Sequence, residues 1–350
     1  MSFETSKKRA FKGFLTRKEA NVLTYHSVLP KQANLFQTPY HIDEDLFHEQ
    51  MEYLAHSKFN CLTLSQLREA LDRHSLPKHA VVITFDDGFY NNFSTALPIL
   101  EKFNIPATVF ISTGLVGQQT LGWPEMLISI LQCSACEELT FKGKCFPIAS
   151  ADDKQDTFIE LTKEFASLTA DEIQQACQDF QTQTRFDAEQ FFTSSTYEAM
   201  RFLTWDEIDA MKQSPVIEFG SHGVTHRSLI HLPDAESRQE INASKHTIQQ
   251  RIGHCQAFAY PFGRRGVDFN EQHDHMAKEA GYQLIFTCGQ YRTIKQTSNP
   301  LDLPRTNILS DCDIDVFDLT LNGGISFNNL GSTKEALSGV MKGLFSGSTH

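Results

Sequence analysis

The sequence predicts an α/β fold assembled from parallel βαβ units, and three observations carry that prediction. Residues 80–85 (Ala-Val-Val-Ile-Thr-Phe) and 107–112 (Ala-Thr-Val-Phe-Ile-Ser) are apolar runs without alternation, as strands buried on both faces are. Residues 95–103, between them, read as a helix, so strand, helix and strand succeed one another at the βαβ rhythm. That rhythm lapses between Gly117 and about Tyr197 and returns at Thr204. A chain of 350 residues fits one large α/β barrel or two smaller domains. The irregular stretch is short and lacks a clear linker, which reads as an insertion at one loop of a single barrel.

In chain order, residues 7–18 interleave Lys7, Lys8, Arg9, Lys12, Arg17 and Lys18 with Phe11, Phe14 and Leu15. The stretch 1–20 is therefore a basic leader, either solvated or lying as an amphipathic helix on an anionic membrane. Residues 21–25 form a short strand ending at His26, and Pro30 interrupts the chain soon after it. Asp43 is placed to cap a helix whose apolar stripe is Leu46, Met51, Tyr53 and Leu54, with Phe47 on the flank. A strand at 60–63 and a helix at 65–71 come next, with Thr63 and Gln66 at capping-box spacing. Within the insertion, about 117–200, residues 123–131 and 151–180 read as helices separated by a strand-like segment at 138–146. Thr204-Trp-Asp-Glu207 is a capping box opening a helix to Lys212. Then come a strand at 216–220, a helix from about 235 to 251, the segment 257–263, a helix at 271–280, a strand at 283–287, and 303–308. The barrel thus occupies 21–310, and 311–350 is a tail with a weak helix at 334–344.

Composition narrows the function. The net charge of −12 disfavours nucleic acid as a partner, since phosphate binding needs a basic face. No stretch has the length of apolar residues needed to span a bilayer, and the N-terminus has no apolar core resembling a secretory signal. Eight scattered cysteines then read as reduced thiols of a cytoplasmic protein. Cys133-Ser-Ala-Cys136 with Cys145 has the look of a zinc corner, but no fourth ligand is evident, and isolated thiols are the better reading.

The strand at 80–85 delivers Asp86, Asp87 and Gly88 at its carboxyl end, where α/β sheets and barrels build their sites. Neighbouring strand residues face opposite sides, so one aspartate can bind a metal while the other takes a proton. Asp-Asp-Gly is equally good turn chemistry. The strand at 216–220 delivers Ser221-His222-Gly-Val-Thr-His226. Two histidines four apart can meet one metal, and a carboxylate from another strand end would complete a three-ligand site with an open position.

Thr84-Phe-Asp-Asp-Gly88, Ser221-His222-Gly-Val-Thr-His226 and Phe258-Ala-Tyr-Pro-Phe-Gly263 together resemble the successive motifs of the polysaccharide deacetylases, carbohydrate esterase family four or the NodB homology domain. Thr24-Tyr-His26-Ser-Val looks like the opening strand of the branch acting on exopolysaccharides. The resemblance implies a deformed (β/α)7 barrel with one divalent metal, usually zinc, bound by Asp87, His222 and His226. It implies Asp86 as general base and the backbone N–H of Phe262 as oxyanion donor. It places His26 at the active site, where it is a candidate general acid; the alternative is a rim histidine with a hydrogen-bonding role.

Three departures stand out. Where many members carry an arginine that orients the base, this chain has Ala259, and Arg305 in Leu-Pro-Arg-Thr is the candidate to replace it. Gly223 stands where many members have Ser or Thr, and no Leu-x-His segment occurs near the C-terminus to supply the usual general acid. The expected function is metal-dependent removal of the N-acetyl group from an amino sugar in a polysaccharide or its precursor. The alternatives are hydrolysis of small cyclic amides on the same barrel, or a carbohydrate-binding protein that has lost turnover.

Overall fold

In the computed structural model, residues 18–322 are described except 32, 34, 37, 166, 167 and 289–292. The basic leader up to residue 17 and the helix expected at 334–344 lie outside the described residues.

Seven parallel strands form the ring that holds the site: β1 (Glu19–Tyr25), β2 (Ala80–Phe85), β3 (Ala107–Ile111), β4 (Ile217–Ser221), β5 (Ala257–Ala259), β6 (Leu284–Thr287) and β7, which is split into Leu303–Pro304 and Thr306–Asn307. Neighbours pair in that order, and the ring closes through the split strand. Leu303–Pro304 pairs with β6, while Thr306–Asn307 pairs in parallel with β1. The deformed (β/α)7 barrel expected from the motifs is the fold found, and its deformation is local. Arg305 sits at the break where β7 changes partner.

The pleat sorts the side chains. Val22 and Val82 pack with Phe110, Ala257, Phe286 and the apolar face of the helix Leu64–Asp72 in one cluster. Leu23, Val81, Ile83, Val109 and Phe258 lie in a second, larger cluster with the surrounding helices. Period-two alternation therefore puts Val22, Thr24 and His26 on one side, and Val82, Thr84 and Asp86 likewise. The register pairs Tyr25 with Phe85, so His26 and Asp86 leave adjacent strands side by side.

The capping boxes at Thr63 and Thr204 form as expected. Several other expectations need correction. Phe47 is fully buried in the helix Glu44–His56, whereas Leu46 is only half-buried. The stripe is centred on Phe47, Met51 and Leu54, because the tertiary contact is the rings of Tyr25 and Phe85 against Phe47. The helix read across 151–180 is two helices, Ala151–Phe165 and Ala170–Thr184, the second opened by a capping box at Thr169. The strand-like segment is a hairpin, Glu138–Phe141 with Lys144–Pro147. At the ends, β1 begins inside the stretch assigned to the leader. Ile314–Leu321, assigned to the tail, is a helix whose Val316 and Phe317 are buried in the main core.

The insertion has its own apolar core, including Leu127, Leu131, Phe158, Phe165 and Phe180. Cys133, Cys136 and Cys145 are free thiols there, and they are not among the groups of described residues arranged to hold a metal. Among the described residues no helix is long and apolar enough to cross a membrane.

Candidate metal centre and active site

Asp87, His222 and His226 converge at the carboxyl ends of β2 and β4, each offering a ligand atom within 4.8 Å of the others. Their backbone does not follow a helical turn. Asp87 and His226 adopt left-handed φ values of 73° and 56°, which turn both side chains inward from loops. His226 Nε2 lies 3.0 Å and His222 Nε2 3.5 Å from Asp87 Oδ1. His222 Nδ1 is 2.8 Å from the Ala259 carbonyl, so that nitrogen carries the proton and Nε2 is left as a bare donor atom.

Asp87 Oδ1 is buried without a hydrogen-bond donor, and this fits a cation among these three residues. Burial holds His222 down at about 4, so it is neutral as a ligand must be. Burial opposes ionisation of Asp87, but the neighbouring histidines hold its carboxyl well below the usual range.

Asp86 is a separate unit. It is buried, and Arg305 holds it with both guanidinium nitrogens at 2.7 Å. Burial alone would raise its carboxyl, but the Arg305 charge brings it below the usual range. Arg305 is itself 1 % exposed, stands over the rings of Phe110 and Phe286, and also donates to Thr84 Oγ1 and Cys288 Sγ. It thus reaches the carboxylate that it was expected to orient.

His26 and Phe262 line the same cavity, of about 740 Å³. His26 presents a buried Nδ1 with no partner, its ring 5.1 Å from that of Tyr40. Phe262 has φ 58°, and its ring stands 4.8 Å from the His226 ring.

Three residues that the motifs do not mark also shape the site. Buried Glu240 accepts from Val224 N, Thr225 N and Thr225 Oγ1 at 2.6–2.9 Å, which ties down the loop between the two histidines. That loop explains Gly223. Its φ is 81°, and a Cβ there would stand 3.2 Å from Glu240 Oε2. His41, on the cavity wall, has a buried Nδ1 without a partner, and burial pushes its pKa down to about 4. Glu125 comes from the insertion and is 8 % exposed. Burial, followed by the charge of Asp87, pushes its carboxyl up to about 7. The motif strands and the capping boxes were readable in sequence; a lone glutamate or histidine elsewhere carries no such mark.

The chain matches the family described as polysaccharide deacetylase over residues 73–135 and 159–285. A poly-beta-1,6-N-acetyl-D-glucosamine N-deacetylase of Staphylococcus aureus is 36% identical over 80 residues, 23% of this chain and 28% of that protein. The match thus spans little more than a quarter of that relative's length. Two solved structures share the fold. The Streptococcus pyogenes deacetylase PplD in complex with acetate has a TM-score of 0.56 at 20% identity, over 87% of this chain and 98% of that one. IcaB from Ammonifex degensii gives 0.54 at 19% identity, over 87% and 97%.

Proposed function

This chain belongs to the polysaccharide deacetylase family, and we propose that it is a metal-dependent N-deacetylase hydrolysing the acetamide of N-acetylated amino sugars in a polysaccharide or its precursor. One observation carries the reading: the Asp87, His222 and His226 ligand set stands on the same rim as a second carboxylate, Asp86, clamped by Arg305. Carbohydrate binding alone needs neither feature. The kinship with a poly-beta-1,6-N-acetyl-D-glucosamine N-deacetylase makes polymeric N-acetylglucosamine the first substrate to test.

Asp87, His222 and His226 would hold the ion, and two imidazoles with one carboxylate suit zinc. Such an ion supplies Lewis acidity, polarising the acetyl carbonyl and acidifying water. Asp86, kept ionised by Arg305, takes the proton of the attacking water. The Phe262 backbone N–H donates to the oxyanion that develops on the acetyl oxygen. His26, beside Asp86, gives a proton to the departing nitrogen, because an amine expelled as an anion is too basic to leave at neutral pH. The test is acetate release from N-acetylglucosamine oligomers, with and without a chelator, alongside metal content. A metal-loaded protein that releases no acetate ends this reading, and turnover of small cyclic amides in its place would move the site to that substrate class.

A further inference from the structure

Four carboxylates line the cavity: Asp86, Asp87, Glu125 and Asp268. Arg305 clamps Asp86, and Arg264 holds Asp268 at 2.8 and 3.0 Å. Asp87 belongs to the histidine pair. Glu125 stands apart, more than nine-tenths buried, with its own backbone N–H as a hydrogen-bond partner. The charges that act on it are Asp87, which opposes its ionisation, and His226, which favours it. A buried carboxyl of this kind stays neutral until a cation comes beside it, and the cavity gives such a cation access to it.

Its placement is deliberate. The helix Trp123–Cys133 opens with Gly122 as N-cap and Pro124 in the first turn, and Glu125 is its third residue. A Cβ on Gly122 would stand 2.5 Å from Glu125 Oε2, so a side chain there would push the carboxylate end aside. Trp123 stacks near Phe262, with ring centroids 6.3 Å apart, and docks the start of this helix against the loop after β5. The insertion thereby presents one carboxylate to the barrel's site.

We propose that Glu125 forms an amine subsite, holding the protonated nitrogen of an amino sugar at the reaction centre. The proposal rests on the deacetylase reading and deepens it. Hydrolysis breaks the C–N bond of a neutral acetamide, water's oxygen joins the acetyl carbon, and acetic acid and an amine result. The acid's proton passes to the amine, giving acetate and an ammonium. Arg305, His222 and His226 cannot hold that ammonium, and Asp86, Asp87 and Asp268 are engaged by Arg305, the ligand set and Arg264, whereas the Glu125 carboxylate can hold it with a charge-assisted hydrogen bond. The same subsite favours a free amino sugar over its neutral counterpart.

The test compares glucosamine, glucose and N-acetylglucosamine on the metal-loaded protein, by calorimetric binding and by inhibition of acetate release. Wild type should bind glucosamine more tightly than glucose. Glu125→Gln should weaken glucosamine alone by about 10–100-fold while keeping its metal, the range expected for a hydrogen bond to a buried charge. Equal affinity of wild type for glucosamine and glucose, or undiminished glucosamine binding in Glu125→Gln, overturns the proposal. If Glu125→Gln loses its fold or its metal, Glu125→Asp, which keeps the charge, must bind glucosamine in preference to glucose, or the subsite is rejected. Absence of acetate release by wild type would instead end the deacetylase reading, while calorimetry still decides whether Glu125 selects an amine.

Discussion

Arg305 grips both carboxylate oxygens of Asp86 at 2.7 Å, although 219 residues separate them, in a ring that Arg305 itself helps to close. The pair is buried on both sides, at 1 % and 2 % exposure, so each charge depends on the other.

Arg305→Met should therefore act on Asp86 without touching Asp87, His222 or His226. Burial already pushes the Asp86 carboxyl up, and the Arg305 charge is what brings it down. Removing that charge raises the pKa, so the acid limb of the kcat/KM profile should move to higher pH, with lost activity partly recovered as pH rises. Stability should fall by about 3–5 kcal/mol for an uncompensated buried charge. An unmoved acid limb would show that Arg305 does not set the state of Asp86.

Asp86 and Asp87 should separate cleanly. Asp86→Asn should keep its metal and lose about 10²–10⁴-fold in kcat, the usual weight of general-base chemistry. Asp87→Asn, like His222→Ala, should lose the metal. Metal analysis of the three variants decides it, and equal metal loss in both aspartate variants would mean that the roles were assigned wrongly.

His26→Gln keeps approximate size and hydrogen bonding but leaves no ring nitrogen to hand on a proton. Metal occupancy should persist while turnover falls steeply and the alkaline limb of the pH–rate profile changes. Wild-type turnover across that pH range would leave Asp86 to act as both base and acid.

Glu240→Ala tests the loop between the histidines. Losing the acceptor for Val224 N and Thr225 N frees the segment that positions His226. Metal affinity should drop by about 10–100-fold, as when other groups that orient ligands are removed. Titration with a competing chelator measures this, and an affinity equal to wild type would refute the role.

His41 gives the protein without metal a pH dependence. Its folded-state pKa, about 4, lies below the ordinary 6.5 because burial, and then His26, disfavour its charge. Between those values the unfolded chain binds more protons, so stability is complete above pH 6.5 and declines as pH falls toward 4. The loss is at most about 3 kcal/mol. Melting temperatures of wild type and His41→Gln across that window should diverge on the wild-type side only by this slope, and parallel curves would rule it out.

The sequence by itself determined the strands, the carboxylates and the histidines. Unalternating apolar runs specify strands buried on both faces, and each run ends in the residues it positions: Asp86 and Asp87 after β2, His222 after β4. Capping boxes are local too, since their hydrogen bonds span three residues. What only tertiary structure decided was everything that depends on closing the ring. Arg305 was one candidate arginine until the split of β7 between β6 and β1 carried it to Asp86. Phe47 looked like a flank residue until Tyr25 and Phe85 buried it. Glu125 and Glu240 carry no periodicity at all, because a carboxylate gains its role from the charges and backbone N–H groups that distant segments bring to it. Propensity and patterning act over a few residues, whereas desolvation and charge pairing act across space, and only folding sets those distances.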